Sequence, residues 1–360
     1  ADLVIGTGAY MLSEFSPEGT YKLVRHPEFY ERGYIGGIET FALFTDLAAQ
    51  QSAFEQKQID AFAPAAVDML NDLLSRHDGK IWNSRTFGGN PHAGTYYGGA
   101  PPWSDPNLIG AIFKTIDRRL MVQQMFQGSG VMSGSIPPSQ AAFAIPESEL
   151  ITFDGYREDR VAELAEAKAM WEAGGGASLG TVTIDIPDIW EGRYQGISES
   201  LVGMLQSNLG NKFEAKIEPY STITGKIVAQ AYGKGNPNLW FGWVTEVQQP
   251  EPTLFLYTQF NSAGAGFFQF EIQSDTIDAL TNQAMTEFDI ENRIVLVKDC
   301  ERELLRLYGA GHPYTVNAIV NTLRWNYYHV IHASSFVGGH NFYRYSWVDT
   351  DDPTWQGRPA

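Results

Sequence analysis

The sequence predicts an α/β protein with two lobes, the first of which is interrupted by the second. Residues 1–45 have the pattern of short strands, the middle of the chain alternates between helical and strand patterns, and residues 313–348 return to strands. A chain of 360 residues is long enough for two lobes. We therefore assign residues 1–98 to a β-rich part of the first lobe, residues 99–312 to an α/β second lobe, and residues 313–360 to a return to the first lobe.

The first lobe begins with strands and continues with two short helices. The run YKLVR at 21–25 and a second run at 39–44 are strand-like, with glycine and proline between them. Helices are predicted at 45–58, behind a capping Thr or Asp, and at 64–74, where a proline opens the helix. A short strand at 59–62 separates the two helices.

Residues 88–106 are rich in glycine, proline and aromatic residues, in the order GGNPHAGTYYGGAPPWSDP. Such a segment is a linker between lobes, a loop that faces a ligand, or both. Tyr96 and Tyr97 lie in it, and they either contact a ligand or pack the crossover between the lobes.

The second lobe is predicted from apolar residues at helical spacing and from short apolar runs. The predicted strands are 182–186, 213–217 and the aromatic run that begins at 239, and the predicted helices are 108–126, 160–173, 192–209, 222–231, 274–287 and 290–308. The prolines at 137 and 138 predict an extended loop over 136–139.

Composition and charge argue against several classes of function. The chain has 25 Lys and Arg residues against 42 Asp and Glu residues, a formal net charge of −17, which makes nucleic acid and anionic membranes poor partners. Its single cysteine, Cys300, leaves no internal disulfide framework.

The first 15 residues have neither the basic region nor the long apolar core of a signal peptide. Gly6 and Gly8 do not begin a dinucleotide-binding loop, because residue 11 is Met and no helical pattern follows, and no cofactor is expected.

The stretch 239–260, LWFGWVTEVQQPEPTLFLYTQF, contains a candidate binding site. An aromatic strand ends there in one acid, Glu246, and a carboxylate in such a position is costly unless something uses its charge. Glu246 is suited to accept hydrogen bonds from a ligand ammonium group, and Trp243 to offer a flat face for stacking. The alternative is that Trp240 and Trp243 belong to the core and that Glu246 is solvated at the strand end.

A series of motifs follows in order along the chain: GTGAY at 6–10, LVRHPEFY at 23–30, IDA at 59–61, FKTIDR at 113–118, FQGSG at 126–130, IPPS at 136–139 and AEAKAMWEAG at 165–174. In this order they resemble the family 5 extracellular solute-binding proteins of bacterial ABC importers, which include dipeptide- and oligopeptide-binding proteins. The ordered succession, rather than any single motif, carries the resemblance.

The resemblance implies a fold of the periplasmic binding protein-like type II, in which two lobes are joined by a hinge. It implies a solute-binding component of an ABC import system that captures a peptide or similar small solute between two lobes and delivers it to permease subunits in the membrane. The expected location is periplasmic or extracellular, with anchoring at the cell surface. Family members normally carry a long segment before the motif that is GTGAY here, so the resemblance also implies an incomplete first lobe and a missing N-terminal segment or chain as a partner.

The resemblance also extends to site residues. In peptide-binding members a strand with the pattern Trp-x-x-Asp carries the acid that meets the amino end of the ligand, and the matching positions are Trp243 and Glu246. Because Glu reaches one methylene further than Asp, recognition of dipeptides is not carried over. Tyr314 and Asn317, in PYTVNA, resemble the returning strand whose tyrosine lines the cleft, although Tyr314 also fits a core position. The predicted ligand-binding residues are Trp243, Glu246, Tyr96, Tyr97, Trp240, Tyr314 and Asn317.

The rival class is an enzyme, namely a secreted glycoside hydrolase or other carbohydrate-active enzyme that uses paired carboxylates. Such an enzyme needs two acids that face each other across a cleft, and neither Glu246 nor Glu251 has such a counterpart on an opposing element. The sequence contains no serine nucleophile elbow, and His329 and His332 would point to opposite faces of a strand. We therefore predict no catalytic residue and no metal ligand. A sensor or folding helper on the same scaffold remains an open third class.

Overall fold

The structure is a computed structural model, which describes residues 8–15, 21–30, 37–40, 47–64, 66–87, 90–94, 101–124, 127–193, 196–210, 213–232, 235–245, 251–267, 270, 272–307, 317–329 and 346–357. The strands in these residues are β1 (Tyr10–Phe15), β2 (Tyr21–Arg25), β3 (Gly37–Thr40), β4 (Ala61–Phe62), β5 (Ile81–Phe87), β6 (Asn90–Gly94), β7 (Gly130–Val131), β8 (Val182–Pro187), β9 (Phe213–Glu218), β10 (Leu239–Thr245), β11 (Asn317–Trp325), β12 (Tyr328–His329) and β13 (Trp347–Val348). The α-helices are α1 (Leu47–Glu55), α2 (Val67–Arg76), α3 (Pro106–Thr115), α4 (Arg118–Gln124), α5 (Glu147–Leu150), α6 (Arg160–Ala173), α7 (Asp188–Arg193), α8 (Ile197–Leu209), α9 (Tyr220–Val228), α10 (Thr253–Phe260), α11 (Asp275–Thr286) and α12 (Ile290–Arg306).

The chain divides into two compact units. Unit 1 consists of Ala1–Thr86 and Val320–Ala360, and unit 2 consists of Phe87–Ile319. The sequence places the crossings at 98/99 and 312/313, whereas the units meet along the chain at 86/87 and 319/320. Strand β6 accounts for the first difference, because its pairing with β10 makes it part of the sheet of unit 2. The identification of the two units with two lobes stays a prediction.

Unit 2 is built around a four-stranded sheet in the order β6-β10-β8-β9. Strands β10, β8 and β9 are parallel to one another, and β6 is antiparallel to β10. Helices α7 and α8 connect β8 to β9, and α9 connects β9 to β10. Parallel strands joined by helical crossovers require cover on both faces of the sheet, and the two largest cores of unit 2 supply it.

The two cores lie on opposite faces of the sheet, because successive side chains along a strand point to opposite faces. On β10, Leu239 and Phe241 lie in the first core, with residues of α3, α6 and α8, while Trp240 lies in the second core, with residues of α9 to α12. On β8, Val182 and Ile184 belong to the first core in the same way. Since successive side chains of a strand point to opposite faces, the apolar run predicted as one buried strand serves two layers of helices.

Unit 1 contains a sheet β1-β2-β3 and a second sheet with the path β4-β11-β5. Its core lies around Phe54 and Trp325, whose rings stack with centroids 5.3 Å apart. The indole N–H of Trp325 donates to the Phe54 carbonyl oxygen at 2.9 Å, which joins the end of α1 to β11. This contact links residues 271 positions apart in the sequence, so the returning segment closes the core of unit 1.

Several predicted elements are confirmed, among them helices α6, α11 and α12 and strands β8, β9 and β10. The helix predicted over 108–126 is wrong as a single element, because the structure divides it into α3 and α4. The guanidinium of buried Arg118 donates to the carbonyl oxygens of Phe113 and Ile116 and thereby satisfies the end of α3. Asp117 then accepts from the Leu120 backbone N–H at 2.9 Å and starts a new helix.

Two further expectations are corrected. The helix predicted over 192–209 is confirmed as α8 from Ile197 onward, but residues 192 and 193 belong to the preceding helix α7. Glu191 of α7 accepts from the backbone N–H groups of Gly196 and Ser198 at the beginning of α8. The Gly- and Pro-rich segment 88–106 contains strand β6, whose hydrogen bonds come from β10 more than a hundred residues away. Pro91 is tolerated there because β6 is an edge strand of the sheet.

Among the described helices, none combines the length and the apolar character that a membrane crossing requires.

Candidate functional site

The geometry of the unit 2 sheet singles out one edge as a candidate site. The carboxyl ends of β8, β9 and β10, at Pro187, Glu218 and Thr245, lie on the same edge because these strands are parallel. The chain leaves β8 to form β9 on one side and later returns to form β10 on the other side. In open α/β sheets, ligands bind outside the carboxyl ends of the strands at such a reversal of strand order.

Strand β10 departs from regular pairing just before its carboxyl end. It pairs with β6 through Trp240 opposite Gly94 and Phe241 opposite Ala93, and the register then shifts so that Trp243 lies opposite His92. A shift of this kind is a bulge or irregularity, a feature that bends a strand and often lies next to a functional site. Trp243 therefore directly follows the irregularity in the pairing of β10 with β6.

Trp240 is corrected from a ligand platform to a core residue. Its side chain has no exposed surface and packs against Phe270, with ring centroids 6.2 Å apart. Alternation along β10 directs it into the core that α9 to α12 cover. The alternative stated from the sequence, that this tryptophan belongs to the core, therefore holds for Trp240.

The remaining predicted site residues are described in part or not at all. The backbone of Trp243 lies in β10, and the backbone of Asn317 is the first residue of β11, opposite Val131 of β7. Glu246, Tyr96, Tyr97 and Tyr314 lie outside the described residues. The ligand-contact roles of all six stay predictions.

A charged network that the sequence analysis missed lies beneath the same edge. The Lys226 ammonium, on α9, donates to Asp185 of β8 at 2.7 Å and to Glu218 at the end of β9. The Tyr232 hydroxyl donates to the same oxygen of Asp185 at 2.7 Å, and Lys216 pairs with Glu218 at 2.7 Å. One signal was available, since Asp185 is a charged residue in the middle of a strand that is largely apolar.

The proton affinities in this network follow from burial and pairing. Burial alone would lower the pKa of Lys226, but its hydrogen bonds to Asp185 and Glu218 raise it above its ordinary value. Burial, and then the hydrogen bond to Asp185, raise the pKa of Tyr232. Both groups therefore keep their protons at neutral pH, and the network joins β8, β9 and α9 as one fixed support.

Among the described acids, those near the candidate edge are already engaged in contacts within the protein, which does not favour the paired-carboxylate enzyme. Asp185 of β8 and Glu218 at the end of β9 are bridged by Lys226. Glu251 accepts from the backbone N–H of Thr253, the first residue of α10, at 3.1 Å. Within the described residues, no group of three or more His, Cys, Asp and Glu side chains is arranged to hold a metal ion.

Comparison with known proteins identifies the relatives of this fold. The sequence model of the family described as "Bacterial extracellular solute-binding proteins, family 5 Middle" matches residues 1–267. No curated protein matches the chain in sequence.

Solved structures provide similar folds at low sequence identity. The murein tripeptide binding protein MppA of Escherichia coli is similar with a TM-score of 0.76 and 18% identity, over 95% of this chain and 64% of that one. OppA of Haemophilus influenzae, in complex with RPPGFSPFR, is similar with a TM-score of 0.75 and 15% identity, over 95% and 64% of the two chains. DppA of Helicobacter pylori, in complex with the peptide STSA, is similar with a TM-score of 0.74 and 14% identity, over 96% and 63%. The chain thus spans somewhat less than two thirds of the length of these relatives.

Proposed function

Because this chain belongs to the family 5 bacterial extracellular solute-binding proteins, we propose that it is the solute-binding component of an ABC import system. It captures a peptide or similar small solute and delivers it to permease subunits in the membrane. Proteins of this family are non-enzymatic binding proteins, and we propose that this chain likewise leaves its ligand chemically unchanged. The proteins named above that contain peptides in their structures support a peptide as the first ligand to test.

The position of β10 is the single observation that carries the proposal. Its carboxyl end lies at the point where strand order reverses in the sheet, and its register shifts immediately before Trp243. General experience with α/β sheets locates ligands at such an edge. Glu246 follows β10 directly in the sequence, and we propose that its carboxylate serves this edge.

We assign roles to the site residues on this basis. The Glu246 carboxylate accepts hydrogen bonds from a ligand ammonium group, and the Trp243 ring stacks on an apolar or planar part of the ligand. Tyr96, Tyr97, Tyr314 and Asn317 complete the polar and aromatic lining. A few placed polar groups among aromatic rings is the usual composition of a small-molecule site.

The proposal extends to cellular location and partners. Family 5 binding proteins are periplasmic or extracellular, and we propose that this one is anchored at the cell surface beside its permease. Fractionation of the native host with an antibody against this chain tests the location, and recovery in the cytoplasmic fraction would contradict it.

Direct binding measurements test the function. Native mass spectrometry of freshly purified protein is expected to reveal a bound peptide or small solute. Isothermal titration calorimetry with STSA and RPPGFSPFR, after removal of any bound ligand by partial unfolding and refolding, is expected to give saturable binding of at least one of them. Absence of any co-purifying solute together with turnover of a peptide or glycoside would refute the proposal.

The Glu246→Gln substitution tests the proposed ammonium contact. Removal of the charge is expected to weaken peptide affinity by about 2–5 kcal/mol, because the ligand's ammonium group then lies against a neutral amide. The matched control is Glu172→Gln, which changes an exposed acid on α6 of the same unit. Unchanged affinity with a lowered melting temperature would assign Glu246 a structural role instead.

A further inference from the structure

Helix α12 carries a buried carboxylate, Glu301, that forms no ion pair with a cationic side chain among the residues that the structure describes. Glu301 has no exposed surface. One oxygen accepts from the Ile136 backbone N–H at 3.0 Å and from the Ser135 hydroxyl at 3.3 Å, and the other accepts from the Ile145 backbone N–H at 3.2 Å. A buried charge is costly, and here only neutral donors are in hydrogen-bond contact with it among the described residues. These hydrogen bonds therefore offset the cost of burying the carboxylate, and they hold the donor residues against α12.

The segment held by Glu301 fits closely against it. A Cβ atom on Gly134 would lie 2.1 Å from the Glu301 Oε1 atom, so only glycine allows the approach. From the other side, the Tyr156 hydroxyl donates to the Ser133 carbonyl oxygen at 2.7 Å. Ser133 and Ser135 are both buried. Residues 133–136 are thus fixed between α12 and Tyr156.

The same segment leads directly to the strand on which the chain leaves unit 2. Strand β7 ends at Val131, two residues before Ser133. It pairs with β11 through Val131 opposite Asn317 and Gly130 opposite Ala318. These are the first residues of β11, and the chain passes into unit 1 two residues later, at 319/320.

We propose that Glu301 is a positioning residue that holds residues 133–136 against α12 and thereby fixes β7 and the beginning of β11. Strand β7 pairs only with the first two residues of β11, whereas later residues of β11 pair in the sheet with β4 and β5. The placement of β7 and of these first two residues therefore depends on how residues 133–136 are held. The effect on ligand binding, through Asn317, rests on the proposed function. The anchoring of β7 and β11 does not depend on that function.

Hydrogen–deuterium exchange on the full 360-residue chain tests the anchor without a ligand. In Glu301→Gln, one face of the side chain becomes a donor, so a buried N–H or O–H group loses its acceptor. Amides in peptides that cover 130–136 and 317–320 are expected to exchange about tenfold faster, while those of β8 and β9 keep their rates. Glu303→Gln is the matched control, because Glu303 is on the same helix and pairs with Arg306 near the surface. The amides of the Glu303→Gln variant are expected to exchange at the same rates as those of the unaltered protein.

Two outcomes would overturn the proposal. Faster exchange confined to 133–145, with 317–320 unchanged, would mean that Glu301 does not position β11. Equal acceleration throughout unit 2 would mean that its role is general stability. If Glu301→Gln does not fold, Ser135→Ala removes one donor and leaves the carboxylate in place, and the same two stretches are expected to loosen by a smaller factor.

A binding measurement separates this proposal from the proposed function. If the unaltered protein binds STSA, Glu301→Gln is expected to bind it at least several-fold more weakly, and Glu303→Gln with unchanged affinity. If the unaltered protein binds neither a peptide nor any other solute and instead turns over a peptide or glycoside, the proposed function is contradicted, and the exchange result still decides the anchor.

Discussion

Burial raises the pKa of Glu301 to about 7, although hydrogen bonds from Ile136, Ile145 and Ser135 act to lower it. The folded protein therefore binds a proton on this residue at a pH where the unfolded chain has already released it. The stability that results is fully present below about pH 4.5, the ordinary pKa of the group, and is lost as the pH rises through about 7.

This linkage predicts a difference between the protein and its Glu301→Gln variant. Between pH 5 and pH 8, the free energy of unfolding of the unaltered protein is expected to fall more steeply than that of the variant, which has no proton to release at this position. Urea denaturation at intervals of one pH unit measures both slopes. Burial also raises the pKa of Glu163, but this group is present in both proteins and cancels in the comparison. Parallel curves would contradict the prediction.

Acids with lowered pKa values act in a separate pH window. Hydrogen bonds from Arg76 and then Gln51 lower the pKa of Glu55 to about 2. The stability that this group contributes is present above its ordinary pKa of 4.5 and is lost as the pH falls towards 2. It therefore does not overlap the interval in which Glu301 titrates.

At the scale of elements, two glycines of unit 2 have opposite environments. Gly176 follows α6, and a Cβ atom there would lie 2.1 Å from a ring carbon of Trp171, which is buried in the first core. Gly203 lies inside α8, and a Cβ atom there would have no neighbour within 4 Å. The first glycine is required by a close contact, and the second only lowers the stability of its helix.

The two Gly→Ala substitutions are therefore expected to differ in sign. Gly176→Ala is expected to lower the free energy of unfolding by about 1–3 kcal/mol, because the ring of Trp171 has to move within a packed core. Gly203→Ala is expected to raise it by about 0.5–1 kcal/mol, because alanine loses less backbone entropy in a helix. Urea denaturation with a common slope gives both values. A stabilised Gly176→Ala variant would mean that the ring relaxes without cost.

At the scale of the whole molecule, Cys300 is the only cysteine in 360 residues and is a natural reporter of unfolding. It lies in the second core of unit 2, with 1% of its surface exposed. Burial, followed by the nearby acids Glu301 and Glu303, raises the pKa of its thiol. The thiol is therefore unreactive in the folded protein on two grounds, access and protonation.

Labelling of Cys300 is expected to follow the opening of unit 2. In native buffer, a thiol reagent such as DTNB is expected to react far more slowly than with the urea-unfolded chain. A ligand that binds only the folded protein is expected to slow labelling by about a hundredfold when present at 100 times its dissociation constant. Native labelling at the rate of the unfolded chain would show that the second core opens freely.

The sequence by itself determined the broad organisation of the chain and its family. Apolar spacing in α6 and α12 and the alternation in β8 are local signals, because the side chains that form one face of an element are near neighbours in sequence. Local sequence also predicted that Trp243 lies near the end of an aromatic strand. The order of motifs along the chain pointed to the family that the comparison then identified.

Only the tertiary structure decided where strand pairing, helix breaks and burial differ from what the local sequence pattern predicts. Strand β6 exists because β10 pairs with it, and the break after α3 exists because Arg118 turns back to its carbonyl groups. Trp240 is buried because helices α9 to α12 cover its face of the sheet. The contact of Glu301 with Ile136 joins residues 165 positions apart. Pairings over such distances depend on how elements pack, and no local periodicity records them.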